Sequence, residues 1–149
     1  MAIEFQHTID LPQPPQEVFA TLADVSQTPR WLARCTGIER LSPGPLEVGS
    51  KLRYTYKEGG RSGVMDGQVT ERVDGRALGF AYDDRMMHVT VRFALEPSAV
   101  HSGGTRLTHS IGITPKTLMA KLFAPMIRKG LPRQTTEAME SLRSLLARR

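Results

Sequence analysis

The chain has 149 residues, 40% of them hydrophobic, and carries 20 Lys/Arg against 15 Asp/Glu. That length and composition exclude global disorder and fit one domain with its own core. A lone cysteine, Cys35, excludes an internal disulfide and every multi-cysteine metal site, and no apolar run is long enough for a membrane span.

Residues 3–11 alternate strictly, with Ile3, Phe5, His7, Ile9 and Leu11 on one face and Glu4, Gln6, Thr8 and Asp10 on the other. A period of two predicts a half-buried strand. Pro12, Pro14 and Pro15 end it, and Pro15 suits the first turn of a helix, where its missing N–H has no helical partner. Val18, Phe19, Leu22 and Val25 then recur at helical spacing, and Ser26 is placed to cap a second short helix carrying Trp31 and Leu32.

From Ile38 to about residue 114 the pattern becomes short strands divided by turns. Ile38–Leu41 is brief. Leu52, Tyr54 and Tyr56 alternate with polar and charged residues, and Met65, Gly67, Val69, Glu71 and Val73 share the next face. Asp74-Gly75 signals a tight hairpin with positive φ at both residues. Leu78, Phe80 and Tyr82 follow, then Met87, Val89, Val91, Phe93 and Leu95. After the loop 97–104 come Thr105, Leu107, His109, Ile111 and Ile113. Consecutive strands joined by short polar turns form an antiparallel meander.

From about Lys116 the chain reads as helix. Leu118, Met119, Leu122, Phe123, Met126 and Ile127 make one apolar stripe; Ala138, Met139, Leu142, Leu145 and Leu146 make a second. Gly130-Leu131-Pro132 between them predicts a kink or break. Residues 116–149 hold eight Lys/Arg and only Glu137 and Glu140. This excess reads as the solvated face of an amphipathic helix in preference to a membrane contact, and no nucleic-acid-binding motif accompanies it.

The two early helices are too short to cover the apolar face of a seven-stranded sheet, so the terminal helix must do so. The expected fold is α+β in the order β-α-α-β6-α, a curved seven-stranded antiparallel sheet wrapped around a long, kinked C-terminal helix. It forms a single domain over residues 1–149. With this order on hand, the chain resembles the START-like, helix-grip (SRPBCC) superfamily, above all its polyketide cyclase/dehydrase and lipid-transport branch. Pro15-Gln-Glu-Val-Phe19, Leu22-Ala-Asp24, Trp31, Val48-Gly49 and the Leu142–Leu146 tail carry the resemblance. Pro43-Gly-Pro-Leu-Glu-Val-Gly49 replaces the glycine-rich loop of plant members, and the second strand is short. The resemblance implies an internal cavity between sheet and helix that takes a lipid, isoprenoid, polyketide or aromatic compound.

His7, Tyr54, Tyr56, Glu71, Tyr82 and His109 share the inward strand faces with apolar residues. In the fold that the chain resembles, the first and last strands pair antiparallel. His7 and His109 are then midpoints set opposite one another, and a slip of one residue would undo this. Such groups read either as satisfied core residues or as the polar anchors of an apolar pocket. A stronger reading makes a histidine the general base, and a tyrosine or Glu71 its proton partner, in a cyclisation or dehydration. Met65, Val69, Phe80, Val91, Phe93, Ile111, Leu122 and Met126 complete the candidate cavity lining. Glu71 is the sensitive member, since a nearby bulge would turn it outward.

His7, His109 and Glu71 formally make a two-histidine, one-carboxylate set, but no local motif such as His-Glu-x-x-His supports it, and neither metal nor cofactor is expected. Cys35 lies in no nucleophile motif. The start has no basic region followed by an apolar stretch, so a cytoplasmic protein without a signal peptide is expected. The expected function is binding or transport of a hydrophobic small molecule in the cavity. Two alternatives stay open: a cyclase or aromatase-like enzyme, and a module docking through its basic C-terminal helix on an acidic partner or membrane.

Overall fold

Short turns force neighbouring strands to pair, and six of the seven strands do so in chain order. The first strand instead reaches back to the last. In the computed structural model, which describes residues 2–58 and 60–148, the sheet runs β1-β7-β6-β5-β4-β3-β2, antiparallel throughout. Its strands are β1 (Ile3–Leu11), β2 (Cys35–Arg40), β3 (Lys51–Glu58), β4 (Arg61–Val73), β5 (Ala77–Asp83), β6 (Met87–Pro97) and β7 (Thr105–Pro115). Helices α1 (Pro15–Ala23) and α2 (Thr28–Trp31) follow β1, while α3 (Leu118–Leu122) and α4 (Ala124–Ala147) close the chain. This is the expected helix-grip arrangement. The β1–β7 register sets His7 opposite His109, and Thr8 and Thr108 share a hydroxyl–hydroxyl hydrogen bond of 3.0 Å on the other face.

Local chemistry corrects several expectations. Asp24, not Ser26, caps the turn after α1: its carboxylate accepts from the Ser26 backbone N–H and the Ser26 hydroxyl. In the β4–β5 turn only Gly75 takes a positive φ; Arg76 N–H donates to Val73 C=O at 2.8 Å and closes it. In β4 the pairing jumps from Val69↔Phe80 to Glu71↔Gly79, leaving Thr70 as a bulge. Beyond it the alternation is inverted. Glu71 therefore lies on the outer face, held by Arg92 Nε at 2.8 Å, while Arg72 turns inward over the Phe19 ring and Val73 is exposed.

The terminal helix also differs from expectation. The break falls at Phe123, between α3 and α4, and α4 runs unbroken through Pro132. Proline has no N–H for the preceding turn, and the Thr135 and Thr136 hydroxyls bond back to the Leu131 and Pro132 carbonyls at 2.8 and 2.7 Å. The buried face of α4 comprises Leu131, Thr135, Ala138, Met139, Leu142, Leu145 and Leu146. Extended back by helical spacing, that face reaches Ile127 and Ala124, which pack with Ile3, Ile111 and Ile113. Leu122 and Met126 fall off it and are 72% and 69% exposed, so neither lines an interior cavity.

Two glycines shape the concave face. An added Cβ at Gly67 would lie 2.4 Å from Tyr82 Cδ1, and one at Gly63 would lie 2.4 Å from the Tyr56 ring. Both tyrosines thus lie flat against the sheet where a neighbouring strand offers no side chain. Tyr82 is buried between Phe80 and Tyr54, with ring centroids 6.0 and 4.8 Å away, so it cannot step aside. Gly67→Ala should lower stability by about 1–3 kcal/mol through overpacking. Gly63→Ala should cost less, because the half-buried Tyr56 can swing out. Chemical denaturation of the two variants checks this order.

Candidate functional site

The concave face brings together most of the residues singled out from the sequence. Tyr54, Met65, Val69, Phe80, Tyr82, Phe93, His109 and Ile111 are buried; His7, Tyr56 and Val91 are half-buried. Glu71, Leu122 and Met126 lie outside this group for the reasons given above.

Two aromatic sets occupy the interior. On the β3–β5 side, Tyr54 lies 4.8 Å from Tyr82 and 6.2 Å from Tyr56, centroid to centroid. Burial pushes the Tyr54 and Tyr82 hydroxyls far above the usual phenol range, so both stay protonated as donors. Burial likewise raises the Cys35 thiol to about 11. A thiol held that high is not a nucleophile at neutral pH. On the β6–β7 side, the His109 ring stacks on Phe93 at 4.6 Å, and Phe93 meets Trp31 edge-on at 5.9 Å. Trp31 Nε1 and His109 Nδ1 are both buried, with no hydrogen-bond partner among the described residues. Each such orphan costs about 1–3 kcal/mol.

Arg34 links the two sets, and sequence reasoning passed over it. It lies in the segment between α2 and β2 and donates from Nη1 to Gln134 Oε1 on α4 at 2.7 Å; Gln134 Nε2 then donates to Glu58 Oε1 at 2.7 Å. Its charge also acts on both Tyr54 and His109. Among the described residues Arg34 forms no ion pair, and its hydrogen-bond partners are neutral. The only sequence signal was a charge directly before a buried cysteine, which marks no chemistry by itself.

Above this floor, Phe5, Met87, Val89 and Val91 are only partly buried where the N-terminal half of α4 crosses the sheet. They form an apolar rim. Two depressions lie elsewhere. One of about 510 Å³ sits on the outer face around Gly79, Arg92 and Gly112, and one of about 530 Å³ lies beside residues 45–48 and Arg72. No group of His, Cys, Asp or Glu suited to a metal ion occurs among the described residues.

Residues 2–147 match the model of a family described as polyketide cyclase / dehydrase and lipid transport. The Zhui aromatase/cyclase from a Streptomyces species superposes with a TM-score of 0.81 at 13% identity, covering 100% of this chain and 96% of that one. A START superfamily protein from Mycobacterium smegmatis gives 0.79 at 17%, with 97% of each chain covered. The Mll3558 protein from Rhizobium loti gives 0.72 at 23%, covering 97% of this chain and 96% of that one. At such identities the likeness is one of fold. No curated protein sequence matches this chain.

Burial, reinforced by the charges of Arg34 and His7, lowers His109 to about 4. The unfolded chain takes up this proton near pH 6.5, whereas the folded chain resists it until about pH 4. The contribution to stability is therefore complete above pH 6.5 and is lost as the pH falls through that window, by up to about 3 kcal/mol. Thermal melts across this range should show wild-type Tm falling with acid more steeply than that of His109→Phe. Parallel curves would refute the buried-neutral assignment.

Proposed function

The chain belongs to the polyketide cyclase/dehydrase and lipid transport family, and on that premise we propose that it binds a hydrophobic small molecule between the concave sheet face and the N-terminal half of α4. The observation that carries this reading is a pair of ring nitrogens, Trp31 Nε1 and His109 Nδ1, buried within an aromatic cluster with no partner among the described residues. An apolar site with a few unsatisfied polar atoms is built to orient a guest, which supplies both buried surface and the missing partners. Arg34, with neutral partners only, favours a guest bearing a carboxylate or an acidic phenol at one end. Entry is at the rim of Phe5, Met87, Val89 and Val91. Segment 124–131 opens there between the α3–α4 break and the weakened turn at Pro132.

Trp31 is the sole tryptophan, so its emission reports on the chamber. Titration with aromatic and fatty carboxylates should change that emission and raise Tm as ligand binding does. Arg34→Ala should weaken a carboxylate guest by roughly tenfold, in line with loss of a charged hydrogen bond, and leave its neutral amide analogue nearly unaffected. Pro132→Ala, which restores a helical N–H, should slow uptake in stopped-flow mixing without abolishing it. A chamber indifferent to every such compound, in both emission and Tm, sinks the proposal.

One observation favours a second reading, catalysis of a cyclisation or dehydration. His109 is buried and unprotonated at neutral pH, so its imidazole is free to accept a proton, as a weak base with a pKa of about 4. Turnover of a linear poly-β-ketone thioester by the wild type, lost in His109→Asn with guest affinity retained, would establish it; binding without turnover leaves the carrier reading.

A further inference from the structure

Of the apolar stripe expected from Leu118 to Ile127, only Ile127 packs inward; the other five residues face solvent. Leu118 is 77% exposed and Leu122 72%, and Met119, Phe123 and Met126 beside them are exposed too. Five large apolar side chains within nine residues form a contiguous patch, which isolated surface hydrophobics do not. The patch is held in place. Thr117 caps α3 by accepting from Ala120 N–H at 3.1 Å, and Lys116 N–H donates to Met86 C=O at 2.7 Å, fastening α3 to the β5–β6 turn.

The charges around it are of one sign. No Asp or Glu occurs from residue 97 to residue 136, whereas residues 116–133 include Lys116, Lys121, Arg128, Lys129 and Arg133. Lys116 pairs with Asp83 and Arg133 with Glu137; Lys121, Arg128 and Lys129 are exposed and form no ion pair among the described residues.

We propose that α3 and the first turns of α4 dock on an anionic lipid surface, with Leu118, Met119, Leu122, Phe123 and Met126 entering the acyl boundary and Lys121, Arg128 and Lys129 meeting the headgroups. Projecting flexible side chains ringed by lysine and arginine suit the headgroup–acyl boundary, where apolar burial and attraction to anionic lipid act together. A second copy of the chain is the wrong occupant. A two-fold contact would set the same basic residues against each other. Ala124 and Ile127, next in the chain to Phe123 and Met126, pack in the same cluster as Phe5, Met87, Val89 and Val91, so docking would bring that rim towards the bilayer. The inference stands whether or not a guest is held inside.

Vesicle flotation tests it, with phosphatidylcholine–phosphatidylglycerol vesicles against phosphatidylcholine alone. The wild type should float with the anionic vesicles, and rising salt should release it. Lys121→Gln/Lys129→Gln should weaken binding by roughly tenfold or more. Leu118→Ser/Leu122→Ser should lose it while melting like the wild type, since both positions are exposed. Failure of the wild type to float, equal flotation of the variants, or a concentration-dependent dimer abolished by the serine variant would each overturn the assignment. Guest binding by Lys121→Gln/Lys129→Gln in vesicle-free solution should match the wild type, so loss of docking and loss of the chamber read out separately.

Discussion

One helix has to cover the concave face of a seven-stranded sheet, and its sequence allows it to do so only in part. From Leu131 to Leu146 the inward positions are apolar at nearly every turn, and Arg143 ties this half to β1 by donating to the Asp10 carbonyl. Before Leu131 the inward face narrows to Ile127 and Ala124, set among basic residues and preceded by a break at Phe123. Fully burying a large apolar side chain contributes about 1.5–3 kcal/mol. The two halves therefore hold the sheet unequally. The firm half makes the fold; the loose half leaves the β6 and β1 side chains beneath it incompletely covered.

The aromatic interior is polar in a particular way. It contains protonated tyrosine hydroxyls, a neutral imidazole, an indole N–H and an arginine whose hydrogen bonds go to neutral groups. A core built only for stability would leave out such groups or pair them all, because unpaired polar atoms are expensive in low dielectric. Trp31 Nε1 and His109 Nδ1, which find no partner among the described residues, are the two atoms that carry this cost. Binding and acid–base chemistry draw on the same atoms, which is why the fold alone does not separate them.

The fold was legible in the sequence wherever a period held without interruption. Strict alternation in residues 3–11 and 105–113, with a histidine at each midpoint, was enough to set the β1–β7 register once the strands were known to pair. The same reasoning carried most of the concave lining. It failed where one residue changes the phase. Thr70 adds a bulge that no alternation pattern reveals, and Glu71 crosses to the outer face. In the terminal segment two apolar stripes looked like one lid, but helical phase cannot be carried across a break, and Leu122 and Met126 turned to water. Arg34 escaped notice for another reason: it acts through partners on α4 and β3 that no spacing in its own segment announces.

An open sheet keeps two edges, and here they are treated differently. β1 lies under α4, whereas β2, at the other end, has only six residues, carries Glu39 and Arg40 at its tip, and loses register between Cys35 and Gly37. A long regular edge would offer its unpaired amides to any other chain as a template. A brief, distorted and charged one does not. The short second strand thus acts as a stop against sheet-to-sheet polymerisation, and lengthening it would expose the protein to fibre growth from that side.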